Sequence, residues 1–223
     1  MEPGALMVAN TFVDAFRFMP SHFSLLLEKA VQTAELAFAA LAIALVIALP
    51  LGLWLGHRRR GLFVALGVST FGRSLPSVVL IGLGIAIVGL GFWNNAIALV
   101  VLAIAPILTN TYFAVEGVDR DVVEAARGMG LTEMQILRRV EVPLGLPLLL
   151  AGIRIAAVFV IATATLAGIF GGGGLGDIMA RQITYGLGGV FAAAIWVAGI
   201  ALLTAAALAL AQRAASRRMA PRA

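Results

Sequence analysis

Apolar residues in this chain come in long blocks rather than in alternation. Residues 36–56, LAFAALAIALVIALPLGLWLG, form the first block, and basic HRRRG stops it. A second runs from Leu62 to about Gly89 with RSLP at 73–76 inside it, and a third from about Asn95 to Ala114. A fourth runs from about Leu146 to Phe170 and a fifth from about Val190 to Ala211. A helix needs about 20 mostly apolar residues to cross the hydrocarbon core of a bilayer. The pattern therefore predicts an all-α integral membrane chain with about five transmembrane helices. Ahead of the first block, residues 5–31 predict an amphipathic helix lying outside the membrane or at its interface. The chain then divides into an N-terminal segment (1–30), a membrane domain (31–212) holding a polar loop at 115–145, and a basic tail (213–223).

The polar loop carries EAARGMGLTEMQILRRVEVP at 124–143. Asp121 is placed to cap a short helix, with Glu124 three residues on at the capping-box position. Ala125, Ala126 and Arg127 favour helix, and Gly128 and Gly130 end it. Thr132 starts a second helix, with Gln135 again at the capping spacing, and Pro143 is expected to end it. Met129, Leu131, Met134, Ile136 and Leu137 supply apolar knobs, and Ala125 and Ala126 leave room for another backbone. On this reading the stretch is either a well-capped loop or a docking surface for a soluble partner.

Composition agrees with the pattern: 61% hydrophobic, 12% charged, mean hydropathy +1.03. An ordinary soluble domain is about half apolar and about a quarter charged. The net charge of +5 is explained by position, without a nucleic-acid partner. The 57–61 loop, the 115–145 loop and the tail hold Arg58, Arg59, Arg60, Arg120, Arg127, Arg138, Arg139, Arg213, Arg217, Arg218 and Arg222. The opposite side holds only Arg17, Lys29 and Arg181, so the first side is expected to be cytoplasmic and the N-terminus outside. The opening MEPG lacks the basic region of a cleavable signal. With no cysteine, and with His22 and His57 far apart, no metal site is predicted. No catalytic constellation appears: there is no buried aspartate pair and no Gly-x4-Gly-Lys-Ser/Thr phosphate loop.

Polar interruptions at membrane depth mark a candidate translocation path. Ser74, Pro76 and Ser77 make either a healed proline kink or a broken helix bordering a cavity. Arg73, just before them, is read as a structural partner of a carbonyl, Glu116 or Asp119, or as part of a gate. Asn110, with Thr111 and Tyr112, suits interhelical hydrogen bonding. Thr163 and Thr165 fall on different faces of the fourth block. Gly171, Gly172, Gly173 and Gly174 form either a tight outer turn or a flexible outer gate. Trp54, Trp93 and Trp196 are too scattered for the aromatic box that holds quaternary ammonium groups.

Glu124-Ala125-Ala126, three residues, Gly130, nine residues, then Val140-x-Val142-Pro143 resembles the EAA signature of ABC importer permeases, with valines where that pattern has Ile and Leu. In that family the segment is a coupling helix seated in a groove of the ATPase. The resemblance thus implies coupling roles for Glu124, Ala125, Ala126, Gly130, Leu131 and Pro143. RSLPSVVLIGLGIAIVGLG (73–91), APILTNTYFAV (105–115) and GIRIAAVFVIATATLAGIFGGGGLGD (152–177) resemble permeases of osmoprotectant importers, which carry glycine betaine, carnitine, choline or proline betaine. The likeness covers roughly residues 30–212; Thr109 departs from it where a basic residue often precedes the asparagine. Permeases for methionine or other amino acids are the alternative. The resemblance implies a bacterial plasma membrane protein without its own cofactor. Its implied partners are a second permease (itself or a sister), two ATPases that bind ATP and Mg, and an extracytoplasmic binding protein.

Overall fold

The computed structural model describes the backbone of residues 3–74 and 76–219, and side chains for 11–70, 72, 74 and 76–216. Arg222 and the side chains of Arg73, Arg217 and Arg218 lie outside the described residues. Among the described residues every regular element is helical. The order is α1 (Pro3–Ser21), α2 (Phe23–His57), α3 (Leu62–Ser74), α4 (Ser77–Val88), α5 (Phe92–Glu116), α6 (Arg120–Gly128) and α7 (Glu133–Ile136). A π-helical turn, Leu137–Glu141, leads into α8 (Val142–Ala167); a second, Gly168–Gly172, precedes α9 (Leu175–Ala180) and α10 (Gln182–Met219).

Among the described residues four helical stretches are long and apolar enough to cross a membrane: Phe23–His57, Phe92–Glu116, Glu133–Gly172 and Gln182–Ser216. The second predicted block is not one helix. It is α3 and α4, of 13 and 12 residues, separated at Pro76. At about 1.5 Å per residue neither spans a core of about 30 Å alone. Proline removes a backbone donor and disfavours helix in the residue before it, which accounts for the break. The N-terminal helix also differs from expectation: it stops at Ser21, and residues 23–31 belong to α2. Glu28, Lys29, Gln32 and Thr33 broke the apolar pattern there, yet the helix runs through them. Arg213 and the residues after it continue α10 as far as Met219.

The chain folds as two compact units, Met1–Ala40 with Ser77–Leu99 and Phe159–Leu203, and Leu41–Pro76 with Val100–Val158 and Thr204–Ala223. It passes from one to the other five times, once along each of the five apolar blocks. In the first unit, Ala15, Leu26, Ala30, Leu175, Ile178, Ala192 and Ala193 form a buried core. There α1 packs on protein: Phe12 meets Phe191 edge to face at 5.2 Å and Phe18 meets Tyr185 at 6.2 Å.

In the second unit the helices approach through glycine. Lipid tails are as apolar as leucine, so association in a membrane comes from close packing and hydrogen bonds. A Cβ at Gly52 would lie 2.8 Å from Thr111 Cβ, and one at Gly145 would lie 2.2 Å from the Ala114 carbonyl oxygen. Thr109 ties α5 to α3, its hydroxyl donating to the Ala65 and Ala105 carbonyls at 3.3 and 2.8 Å.

Candidate functional site: a capped polar hairpin and a pinned glycine turn

The polar loop folds as a hairpin of α6 and α7. Asp119, not Asp121, caps α6: its backbone is extended (ψ 131) and its carboxylate accepts the Asp121 N–H at 2.9 Å. A cap must lie just outside the helix, and Asp121 is already in the first turn. Glu124 therefore closes no capping box and stays exposed. The end of α6 is a Schellman motif: Gly130 N–H donates to Arg127 O at 3.0 Å and Leu131 N–H to Ala126 O at 3.2 Å. Gly130 supplies the left-handed residue this needs, with φ +82. Thr132 and Gln135 make the expected capping box, Thr132 N–H to Gln135 Oε1 at 2.9 Å and Gln135 N–H to Thr132 Oγ1 at 3.4 Å.

Pro143 does not end the second helix. The chain stays helical from Glu133 to Ala167, widening into the π-turn at Leu137–Glu141 just before the proline. A proline in a helix clashes with the carbonyl four residues back. The wider turn moves that carbonyl away, so the helix continues. Val118, Val123, Ala126 and Ile136, with Leu131 and Val140 against them, give the hairpin a small core of its own. Ile136 is thus interior, whereas Val122, Glu124, Ala125, Met129 and Met134 are exposed.

Charge ties the hairpin together. Arg127 grips Glu133 with two bonds, Nε to Oε1 at 3.0 Å and Nη2 to Oε2 at 3.1 Å. That hydrogen bond holds the Glu133 carboxyl below the ordinary range and raises the Arg127 guanidinium. A groove of about 690 Å³ runs beside the hairpin, lined by Pro50, Leu53 and Trp54 of α2 and by Met134, Leu137 and Arg138, among others. Arg58 stacks over Trp54, 4.9 Å from the ring centre.

The proposed path residues fall into both units. Ser74 donates to the Thr70 carbonyl at 2.7 Å, closing α3; Pro76 is exposed, and Ser77 opens α4. Asn110 donates within α5, to the Pro106 carbonyl at 2.8 Å, and has Gly152 against its side chain. The interhelical bond expected of Asn110 is made by Thr109 instead. Thr163 and Thr165 are both buried, and Thr165 donates to the Ala162 carbonyl of its own helix at 2.8 Å. Asn94 and Asn95 are also buried, and Asn94 Nδ2 donates to the Ile81 carbonyl at 3.3 Å.

The glycine turn is pinned by side chains the sequence reading did not connect with it. Gly171, Gly173 and Gly174 have φ of +78, +71 and +74, which bulkier residues rarely adopt. Gly172 packs against Asn95 Nδ2, where a Cβ would lie at 2.4 Å. Gln32 Oε1 accepts the Gly174 N–H at 3.0 Å and Thr33 Oγ1 accepts the Leu175 N–H at 2.9 Å. Lys29 bonds Asp177 at 2.8 Å, and Arg181 bonds the same carboxylate at 3.0 Å. Burial alone would raise the Asp177 carboxyl, but the Lys29 bond and charge, with Arg181, reverse this and hold it below the ordinary range. Lys29, Gln32 and Thr33 occupy one face of α2 at helical spacing, and that stripe was the available signal.

Comparison with known proteins places these features in a group. Residues 48–220 match the family model described as binding-protein-dependent transport system inner membrane component. The glycine betaine/carnitine/choline transport system permease protein OpuCB of Bacillus subtilis is 34% identical over 160 residues, 72% of this chain and 74% of that protein. The osmoprotectant import permease protein OsmW of Salmonella typhimurium is 31% identical over 177 residues, 77% of this chain and 82% of that protein. A chain of the MetNI methionine ABC transporter, solved in inward-facing conformations, superposes with a TM-score of 0.76 at 26% identity, covering 87% of this chain and 98% of that one.

Proposed function

Because the chain belongs to the inner-membrane components of binding-protein-dependent transport systems, we propose that it is the permease of an ATP-driven importer for small quaternary ammonium osmoprotectants such as glycine betaine, carnitine or choline. Identity above 30% to osmoprotectant permeases over most of the chain carries this reading ahead of a methionine or amino-acid importer. ATP and Mg are bound and spent by two partner ATPases. A second permease, identical or sister, completes the path, and an extracytoplasmic binding protein delivers the solute. The N-terminus lies outside and the arginine-rich loops and tail are cytoplasmic.

The 120–143 hairpin docks the ATPase. Its inner face is a closed core, while Val122, Ala125 and Met129 stay exposed on α6 with the carboxylate of Glu124. Gly130, Leu131 and Pro143 set its shape: the first two form the Schellman turn and the third follows the π-turn. Alternating access then requires the broken α3–α4 segment and the outer glycine turn to rearrange, while Asn110, Thr163 and Thr165 line or brace the moving helices. The natural chain has no cysteine, so a single Met129→Cys variant gives a clean docking test. In the assembled complex a short bifunctional thiol–amine reagent should join residue 129 to the ATPase subunit. No cross-link, with Phe63→Cys equally inert as a lipid-side control, would overturn the docking assignment.

A further inference from the structure

His57 is the last residue of α2, and its ring sits between two carboxylates of the hairpin. Nδ1 contacts Glu141 Oε2, and Nε2 lies 3.3 Å from Glu133 Oε2. Glu141 is 1% exposed, and among the described residues His57 is the only hydrogen-bond partner of its carboxylate. A buried carboxylate without a compensating cation is costly. Ionised carboxylates only accept hydrogen bonds, so both ring contacts are bonds only when a proton serves each nitrogen. Whichever atom carries it, one proton lies between Nδ1 and Glu141; without it two acceptors face each other.

The π-turn explains how both carboxylates reach one ring. Residues eight apart on a regular helix are roughly 80° out of phase at 3.6 residues per turn. The π-turn at Leu137–Glu141 underwinds the helix and brings Glu141 round to the side of Glu133. The contact continues outward, because Glu133 is gripped by Arg127 of α6. Next to the ring, Arg59 takes a left-handed conformation (φ +48) that non-glycine residues seldom adopt, and its Nη2 donates to the Val118 carbonyl at 2.8 Å. The end of α2 is therefore tied to the segment before α6, to the start of α7 and to the π-turn. A cleft of about 340 Å³ beside the ring brings the remaining charges into view: Arg58 and Arg59 from its own loop, and Arg120, Glu124 and Arg127 from α6.

We infer that His57 is a positioning residue for coupling, a pin between Glu133 and Glu141 that fixes the hairpin to the end of α2. The inference rests on the coupling role proposed above for the hairpin. A hairpin free to pivot on its two short helices would absorb the ATPase stroke; pinned at both carboxylates, it passes that stroke into α2.

The test uses the reconstituted complex with ATPases and binding protein. The coupling ratio is hydrolysis with glycine betaine-loaded binding protein divided by hydrolysis without it. His57→Leu should lower it about tenfold, because one carboxylate stays buried without its partner. His57→Arg has room in the two clefts beside the ring and keeps a cation with several donors. It should keep most of the coupling. A wild-type ratio in His57→Leu, or a His57→Arg ratio as low as that of His57→Leu, would overturn the inference. Should His57→Leu fail to assemble, His57→Arg decides: a ratio near wild type is expected, and a loss of about tenfold would overturn the inference. Gly130→Val in the same series separates the two claims. If it uncouples while His57→Leu does not, the pin fails and the hairpin assignment stands; if neither uncouples, the hairpin assignment fails.

Discussion

Gly130 offers a perturbation whose physical basis can be isolated. A Cβ at this position meets nothing within 4 Å, so no clash limits substitution; the constraint is φ +82 alone. A left-handed backbone costs an L-residue roughly 1–2 kcal/mol, least for Asn and most for β-branched residues. The helices on either side hold the turn through the Gly130 and Leu131 N–H bonds. Valine must therefore either bear the strain or open the motif and let α7 swing. Since about 1.4 kcal/mol is tenfold in an equilibrium, Gly130→Val should shift the hairpin population by roughly tenfold, and Gly130→Asn by much less. The apolar helices satisfy their own backbone bonds, so insertion and assembly should survive both changes. Binding-protein-stimulated ATP hydrolysis and uptake, measured in reconstituted complexes, should rank wild type, then Gly130→Asn, then Gly130→Val far below. Equal coupling in Asn and Val variants would refute the backbone argument, and normal coupling in Gly130→Val would remove the hairpin from the mechanism.

Two further predictions concern the arrangement of the chain. Ser216→Cys and Met129→Cys should resist an impermeant thiol reagent in intact cells and react after permeabilisation; ready labelling of either in intact cells reverses the assigned orientation. At the glycine turn, Lys29→Met removes a charged hydrogen bond worth about 1.5–3 kcal/mol and should increase hydrogen exchange at the Gly174 and Leu175 amides, which unchanged protection would contradict. The Asp177 carboxyl is held below its ordinary range, so the bridge contributes fully above the unfolded value of about 3.9 and is lost as pH falls through the lower folded value. Protection of the turn amides, taken relative to their intrinsic exchange rates, should thus be flat down to about pH 4 and fall only in stronger acid, and a fall already near neutral pH would show that the bridge does not hold it.

How far the sequence carried the reading depended on the range of each interaction. The Thr132–Gln135 box is three residues wide and was legible in full. The α6 cap differs from the expected Asp121: Asp119 lies just outside the helix and its carboxylate accepts the Asp121 N–H. Pro143 misled because a regular helix was assumed, whereas the π-turn before it absorbs the proline and aims Glu141 at a histidine 84 residues away. The partners of Lys29, Gln32 and Thr33 are not legible locally: Gly174 and Leu175 lie 142 residues on and Asp177 lies 148 residues on. Apolar blocks and capping signals are local and survive in one dimension; pins between distant elements do not.

The central claim is tested most directly by solute uptake. The complex containing this chain, reconstituted in vesicles with its binding protein and with ATP on the ATPase side, should accumulate labelled glycine betaine, carnitine or choline and should leave methionine outside. Accumulation of methionine, or equal entry of the quaternary amines with and without ATP, would contradict the account.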